Sequence, residues 1–152
     1  MSGYSVGHGT FVVERTYDHP VEKVWAAWAD GELKAQWFGA PGENNRAQVF
    51  EFRQGGRESL KTRIHDGRTI AFDVLYQDIV PNNRILYNYD MHVDGRKISV
   101  SLAALEFSPQ VSNRTHLRLT EYGLFLDGLD NVGLRKQGTL GLMEQLAEFL
   151  DK

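Results

Sequence analysis

Apolar and polar residues alternate along most of this chain, and the pattern turns helical near each end. Over Phe11–His19, Phe11, Val13, Arg15 and Tyr17 fall on one face and Val12, Glu14 and Thr16 on the other, which predicts a strand. Asp18 or His19 then precedes Pro20, whose fixed φ suits a first helical position. Val21, Val24, Trp25 and Trp28 recur at helical spacing, and Asp30-Gly31 ends that helix. Glu32–Trp37 predicts a second short helical turn closing at Gly39, followed by a loop over Ala40–Asn45.

From Arg46 to Tyr122 the period is mostly two. Strands are predicted over Gln48–Arg53, Arg57–His65, Thr69–Val80, Arg84–Val93, Lys97–Phe107 and Thr115–Tyr122. Turn signals separate them: Gly55-Gly56, Asp66-Gly67, Pro81-Asn82-Asn83, Asp94-Gly95, and Ser108-Pro109 through Asn113. Such short connections make neighbouring strands antiparallel, so the segment reads as a meander. Gly123–Asp130 reads as a longer loop before the last element.

That last element, Asn131 to Lys152, is one long helix with an inward stripe of two characters. At roughly 100° per residue, the stripe holds Val132, Lys136, Thr139, Leu140, Met143, Leu146, Ala147 and Leu150, flanked by Arg135, Leu142 and Phe149. Its C-terminal half is wholly apolar. Its N-terminal half points Arg135, Lys136 and Thr139 toward the core, and a buried charge without a partner is expensive. These groups therefore reach solvent past the edge of the core or face a space that holds something polar.

A seven-stranded antiparallel sheet has one face to bury, and the only long helix is the last. The economical α+β arrangement curves the sheet around that helix, with the two short helices after the first strand closing one end. A sheet so curved need not collapse fully onto one helix, which leaves room for an internal cavity. Residues 10–152 are expected to form this one domain, with 1–9 a flexible N-terminal tail.

Composition narrows the function. A chain of 152 residues that is 41% hydrophobic and 24% charged has the make-up of an ordinary soluble domain. The net charge is −3 and the basic residues are scattered, which argues against nucleic acid or an anionic membrane as partner. The absence of cysteine excludes disulfides, thiol nucleophiles and thiolate metal sites. The N-terminus has no basic and apolar regions of a signal peptide, and no apolar run reaches the length of a membrane span, so a cytoplasmic location is expected.

The candidate chemistry lies on faces. Glu58, Leu60, Thr62 and Ile64 share one, as do Phe72, Val74 and Tyr76, then Tyr87, Tyr89 and Met91, and Glu121 with Leu117 and Leu119. If these faces are concave, two carboxylates and several tyrosines point toward the helix that carries Arg135, Thr139 and Met143. The blander reading is a structural ion pair at the rim, Glu58 or Glu121 with Arg135. Trp25, Trp28, Trp37 and Phe38 either pack the short helices or form an aromatic wall, in which Trp37 and Phe38 are the better candidates for its mouth. The five histidines, His8, His19, His65, His92 and His116, show no helical ligand spacing, so no metal site is expected. Ser59, Ser99 and Ser101 lack a nucleophile-elbow context, and Gly55-Gly56 lacks the lysine and helix of a phosphate loop.

The run Pro20-Val21-Glu22-Lys23-Val24-Trp25, then Asp30, then Trp37-Phe38-Gly39, resembles the opening of the START-like, polyketide-cyclase-like superfamily. Within it the chain resembles the branch of homologues of the activator of the heat-shock chaperone ATPase. Glu51-Phe52-Arg53-Gln54-Gly55-Gly56-Arg57 is similar to that branch's acidic-x-Arg-x-Gly-Gly hairpin, and Pro81-Asn82-Asn83-Arg84-Ile85 to its Pro-x-x-Arg-apolar turn. Thr115-His116-Leu117 with Glu121, and Arg135 with Gly138-Thr139 and the pattern from Leu142 to Leu150, match its last strand and helix. The resemblance implies a helix-grip fold with an apolar cavity between sheet and final helix. The leading expectation is that this cavity binds a small hydrophobic or amphipathic molecule, with no cofactor. The expected lining is Trp37, Phe38, Glu58, Leu60, Phe72, Val74, Tyr76, Tyr87, Tyr89, Glu121, Arg135, Thr139 and Met143. Two alternatives stand beside it. One is a cofactor-free cyclase or aldol-type enzyme using Glu58 or Glu121 as base. The other is a co-chaperone-like module whose partner is the chaperone. A homodimer is left open.

Overall fold

The computed structural model describes residues 3–152. Its order is β1 (Val6–Tyr17), α1 (Val21–Ala29), α2 (Gly31–Lys34), β2 (Val49–Phe50), β3 (Arg57–Arg63), β4 (Thr69–Val80), β5 (Arg84–Val93), β6 (Arg96–Gln110), β7 (Arg114–Leu126) and α3 (Val132–Leu150). The strands form one antiparallel sheet in the order β1-β7-β6-β5-β4-β3-β2. All but one of its connections are the short turns read from the sequence. The exception is β1, which lies beside β7 at the edge because two helices intervene before β2. This is the helix-grip fold.

Alternation fixes the inner face. Phe11, Val13 and Tyr17 of β1, Leu105 and Phe107 of β6, and Leu117 and Leu119 of β7 are buried against Met143, Leu146 and Leu150 of α3. The Tyr17 hydroxyl donates to the Met143 carbonyl at 3.0 Å, pinning the first strand to the helix. Asn131 caps α3 by accepting from the Leu134 N–H at 3.0 Å, and Asp30 caps α2 by accepting from Glu32 and Leu33. Among the described residues no helix is long and apolar enough to cross a membrane.

Several boundaries differ from the sequence reading. The first strand begins at Val6 rather than after a tail ending at residue 9, because Val6–Thr10 pair with Tyr122–Leu126. The same ladder turns the first half of the expected 123–130 loop into strand, to Leu126. Glycines hid both ends. Gly9 is required by contact: a Cβ there would lie 2.6 Å from Cβ of Val132, where α3 starts across the strand. The strand expected over Gln48–Arg53 shrinks to Val49–Phe50, since the chain turns tightly through Glu51–Gly56. Pro20 is the extended N-cap residue of α1 instead of its first helical residue.

The stripe of α3 is also rotated from the expected one. Arg135, Thr139, Met143, Leu146, Ala147 and Leu150 are buried, while Lys136 and Leu140 face solvent. The expected stripe is centred on Met143, whereas the buried residues lie to the Arg135 side of it. The observed phase follows Arg135, which can turn inward because carboxylates meet it there.

Candidate functional site

Between the concave face of the sheet and the N-terminal half of α3 lies a cavity of about 450 Å³. Such a volume is within the range of small-molecule sites. Its wall is mostly apolar and aromatic. Ring contacts run from Trp28 through Phe38, Phe72, Tyr89 and Tyr87 to Tyr76, with centroids 5.6–6.3 Å apart. Ile70, Val74, Met91, Leu142 and Met143 fill in between. On the helix side the wall includes Leu134, which is 57% exposed, and Gly138, so the space opens beside the first turns of α3.

One polar cluster is built around Arg135. Its guanidinium donates to Asp130 at 2.7 Å, to Ser99 at 2.7 Å, to Ser101 at 3.3 Å and to the Tyr89 hydroxyl at 2.9 Å. The Tyr89 hydroxyl in turn donates to Glu121 at 2.9 Å. Arg135 and Glu121 themselves approach to 3.6 Å, so the tyrosine bridges a looser ion pair. Burial pushes the Glu121 carboxyl above its ordinary value, against the opposing pull of Tyr89, Arg135 and Ser101. Burial, helped by the facing Glu121, likewise drives the Tyr89 hydroxyl upward.

A second cluster sits under α2. Lys34 Nζ donates to both carboxylate oxygens of Glu58, at 2.8 and 3.1 Å, and lies 4.5 Å from the centre of the Phe38 ring. The Tyr76 hydroxyl donates to the same carboxylate at 2.5 Å. Its pKa is raised by burial and by the negative charge of Glu58.

Of the residues expected at the site, Phe38, Phe72, Val74, Tyr76, Tyr87, Tyr89, Glu121, Arg135, Thr139 and Met143 line the cavity. Trp37, Glu58 and Leu60 do not. Trp37 is 3% exposed, and its indole N–H donates to the Ala27 carbonyl at 2.9 Å, so it belongs to the core beneath its neighbour Phe38. Glu58 and Leu60 are on the concave face but packed away at the β3 side, where Lys34 of α2 comes down onto Glu58. Glu58 pairs with Lys34 and not with Arg135, while the pair expected between Glu121 and Arg135 is present.

The sequence reading missed Lys34, Ser99, Ser101 and Asp130 as members of these clusters. The two serines carried a signal, since they share the strand face of Ala103, Leu105 and Phe107, where a hydroxyl needs a partner. Asp130 lies five residues before Arg135, within reach of an inward side chain. Lys34 carried none. His116 pairs with Glu14 at 3.0 Å on the outer face, and His19 with Asp151 at 2.7 Å. Among the described residues no three His, Asp or Glu side chains are grouped to hold a metal ion.

A curved antiparallel sheet gripping one long helix around an apolar space with a few convergent polar groups defines a START-like domain. The chain belongs to the family described as Activator of Hsp90 ATPase homolog 1-like protein, which it matches over residues 18–151. It is similar to the solved structure of an uncharacterised protein from Rhizobium leguminosarum, with 37% identity, 97% of each chain covered and a TM-score of 0.90. A protein from Rhizobium loti is also 37% identical, over 95% of this chain and 99% of its own, at a TM-score of 0.86. One from Chromobacterium violaceum, 21% identical over 94% of this chain and 97% of its own, shares the fold at a TM-score of 0.79. No curated protein matches.

Proposed function

We propose that the protein binds a small, largely apolar molecule in the cavity between sheet and α3. The observation that carries this reading is the cavity itself: about 450 Å³ of space lined by aromatic and aliphatic side chains, at the place where Arg135 and Glu121 bring polar groups to its wall. Proteins close-pack their interiors, so a space this large left in a well-packed domain costs dispersion contacts unless something occupies it. The test is a titration with the uncharged dye Nile red, followed by fluorescence. One-to-one binding is expected. It is lost in Leu142→Trp, which adds bulk on the cavity wall, and kept in Lys136→Ala on the solvent side of the same helix. Failure to saturate, or binding that survives Leu142→Trp, overturns the reading.

Glu121 favours a second reading, a cofactor-free enzyme. A carboxylate of raised pKa on an apolar wall is a stronger base than one in water, suited to taking a proton from carbon beside a ligand carbonyl, the opening step of aldol-type ring closure. Deuterium exchange into a bound ketone in heavy water is then expected, and is lost in Glu121→Gln while ketone binding remains. A ketone that binds without accelerated exchange counts against catalysis alone.

A further inference from the structure

The cations on the cavity wall are all spoken for. Lys34 is held by Glu58 at 2.8 Å, Arg135 by Asp130 at 2.7 Å, and Arg68, at the outer edge, by Asp66 at 2.8 Å. Glu121 adds a further carboxyl beside Arg135. An anionic ligand entering this space meets no unpaired positive charge: inside, it would have to break a buried ion pair, and at the edge it would compete with Asp66 for an exposed Arg68 whose attraction water screens.

The other polar groups of the wall are mostly committed as well. The Tyr76 and Tyr89 hydroxyls donate to carboxylates, Thr62 donates to Asn45, Gln145 to the Trp37 carbonyl, and Thr139 to the Arg135 carbonyl. Two donors have no hydrogen-bond partner among the described residues. Trp28 Nε1 is sealed off, its ring set edge-on to Trp37 with centroids 4.7 Å apart. The Tyr87 hydroxyl is the other. Tyr87 touches Tyr76 and Tyr89 only through its ring, lines the cavity, and is not among the fully enclosed orphans. Burial, with Glu121 as the next contributor, keeps its proton in place.

We infer that the cavity selects an uncharged ligand carrying a hydrogen-bond acceptor such as a ketone, and that Tyr87 is the specificity-determining residue that donates to it. The inference rests on the ligand-binding reading above and deepens it. A phenol hydroxyl without a protein partner, set between the committed Tyr76 and Tyr89 hydroxyls, fixes one oxygen of a ligand whose remainder is greasy.

Three probes on one ring frame test it: methyl naphthyl ketone, ethylnaphthalene and naphthoate, in the same ring isomer, titrated near neutral pH by calorimetry. The ketone is expected to bind roughly three- to tenfold more tightly than the hydrocarbon, the worth of one hydrogen bond. Naphthoate is expected to bind more weakly than both. Tyr87→Phe should remove the ketone's advantage and leave ethylnaphthalene affinity unchanged, which a merely structural role for Tyr87 would not do. Naphthoate binding as tightly as the ketone, equal affinity for ketone and hydrocarbon, or an equal loss for all three in Tyr87→Phe overturns the inference while the ligand reading stands. Failure of all three to bind overturns both.

Discussion

Lys34 and Glu58 are a buried ion pair between a four-residue helix and a strand, with Nζ 2.8 and 3.1 Å from the two carboxylate oxygens. Such a pair stabilises little as a unit but is costly to break, because the survivor is a buried charge without a partner. Lys34→Met and Glu58→Gln are each expected to lower stability by about 3–5 kcal/mol. The double variant should lose well under the sum, since Tyr76 keeps an acceptor on Gln and no charge is stranded. Urea unfolding of the four proteins gives the coupling directly. Strict additivity would show that the pair is not coupled.

Glu121 makes stability depend on pH in a defined direction. Its folded pKa is raised above the ordinary value of 4.5. Between the two values the folded chain keeps a proton that the unfolded chain has released. This contribution is therefore complete below the unfolded pKa and is lost as pH rises through the folded one. Glu121→Gln cannot titrate. Its stability relative to the parent is expected to improve as pH rises from about 4 to about 8, by about 1.4 kcal/mol for each unit of upward shift. Denaturant unfolding at a series of pH values checks this. A constant difference, or one that moves the other way, is the refuting result.

How much of this was legible follows from which forces are local. Period-two alternation and turn residues placed Thr69–Val80 and Arg84–Val93 at their observed bounds, because both strands lie inside the sheet and are stopped by Pro-Asn-Asn and Asp-Gly turns. Alternation also brought Tyr89 and Glu121 to the face that meets Arg135. It says nothing of how far along a strand the cavity extends. That is why Glu58 and Leu60 share its face yet are buried outside the cavity, Glu58 against Lys34 of α2. Trp37 and Phe38 lie in the turn that follows α2, where neither helical nor strand periodicity holds, and only tertiary packing decides which one turns to the core. Lys34 was invisible because a lysine in a short surface helix is ordinarily solvated, and its burial depends on a carboxylate 24 residues away.

Gly138 sits in the middle of α3, exposed, on the rim of the cavity, and a Cβ there would touch nothing within 4 Å. Glycine inside a helix is less favourable than alanine by about 1 kcal/mol, with no steric reason for it here. Gly138→Ala is expected to stabilise by that amount and to raise Tm by roughly 2–4 °C, which calorimetry would show. Unchanged or lowered Tm would mean that the backbone at this point needs more than room. Larger side chains at the same position project over the opening. Gly138→Phe is therefore expected to slow Nile red uptake while Gly138→Ala leaves it alone.

Gly55 and Gly56 adjoin in one turn but are required for different reasons. Gly55 has φ +80°, and a Cβ on it would meet open space. Gly56 has no such φ, yet its Cβ would fall on the Glu51 carbonyl oxygen and lie 2.9 Å from that of Arg53. Both are anchored to β4, Gly55 N–H donating to the Tyr76 carbonyl at 2.8 Å and the Gly56 carbonyl accepting from Tyr76 N–H at 3.0 Å. The turn cannot swing away without breaking the start of the β3–β4 ladder. Gly55→Ala should therefore cost about 1–2 kcal/mol, the penalty of a left-handed residue, and Gly55→Asn less. Gly56→Ala should cost on the order of 3 kcal/mol, since backbone atoms rather than a flexible side chain must move. No rescue by asparagine is expected at that position. Comparable unfolding midpoints for Gly56→Ala and Gly55→Ala would refute the contact argument.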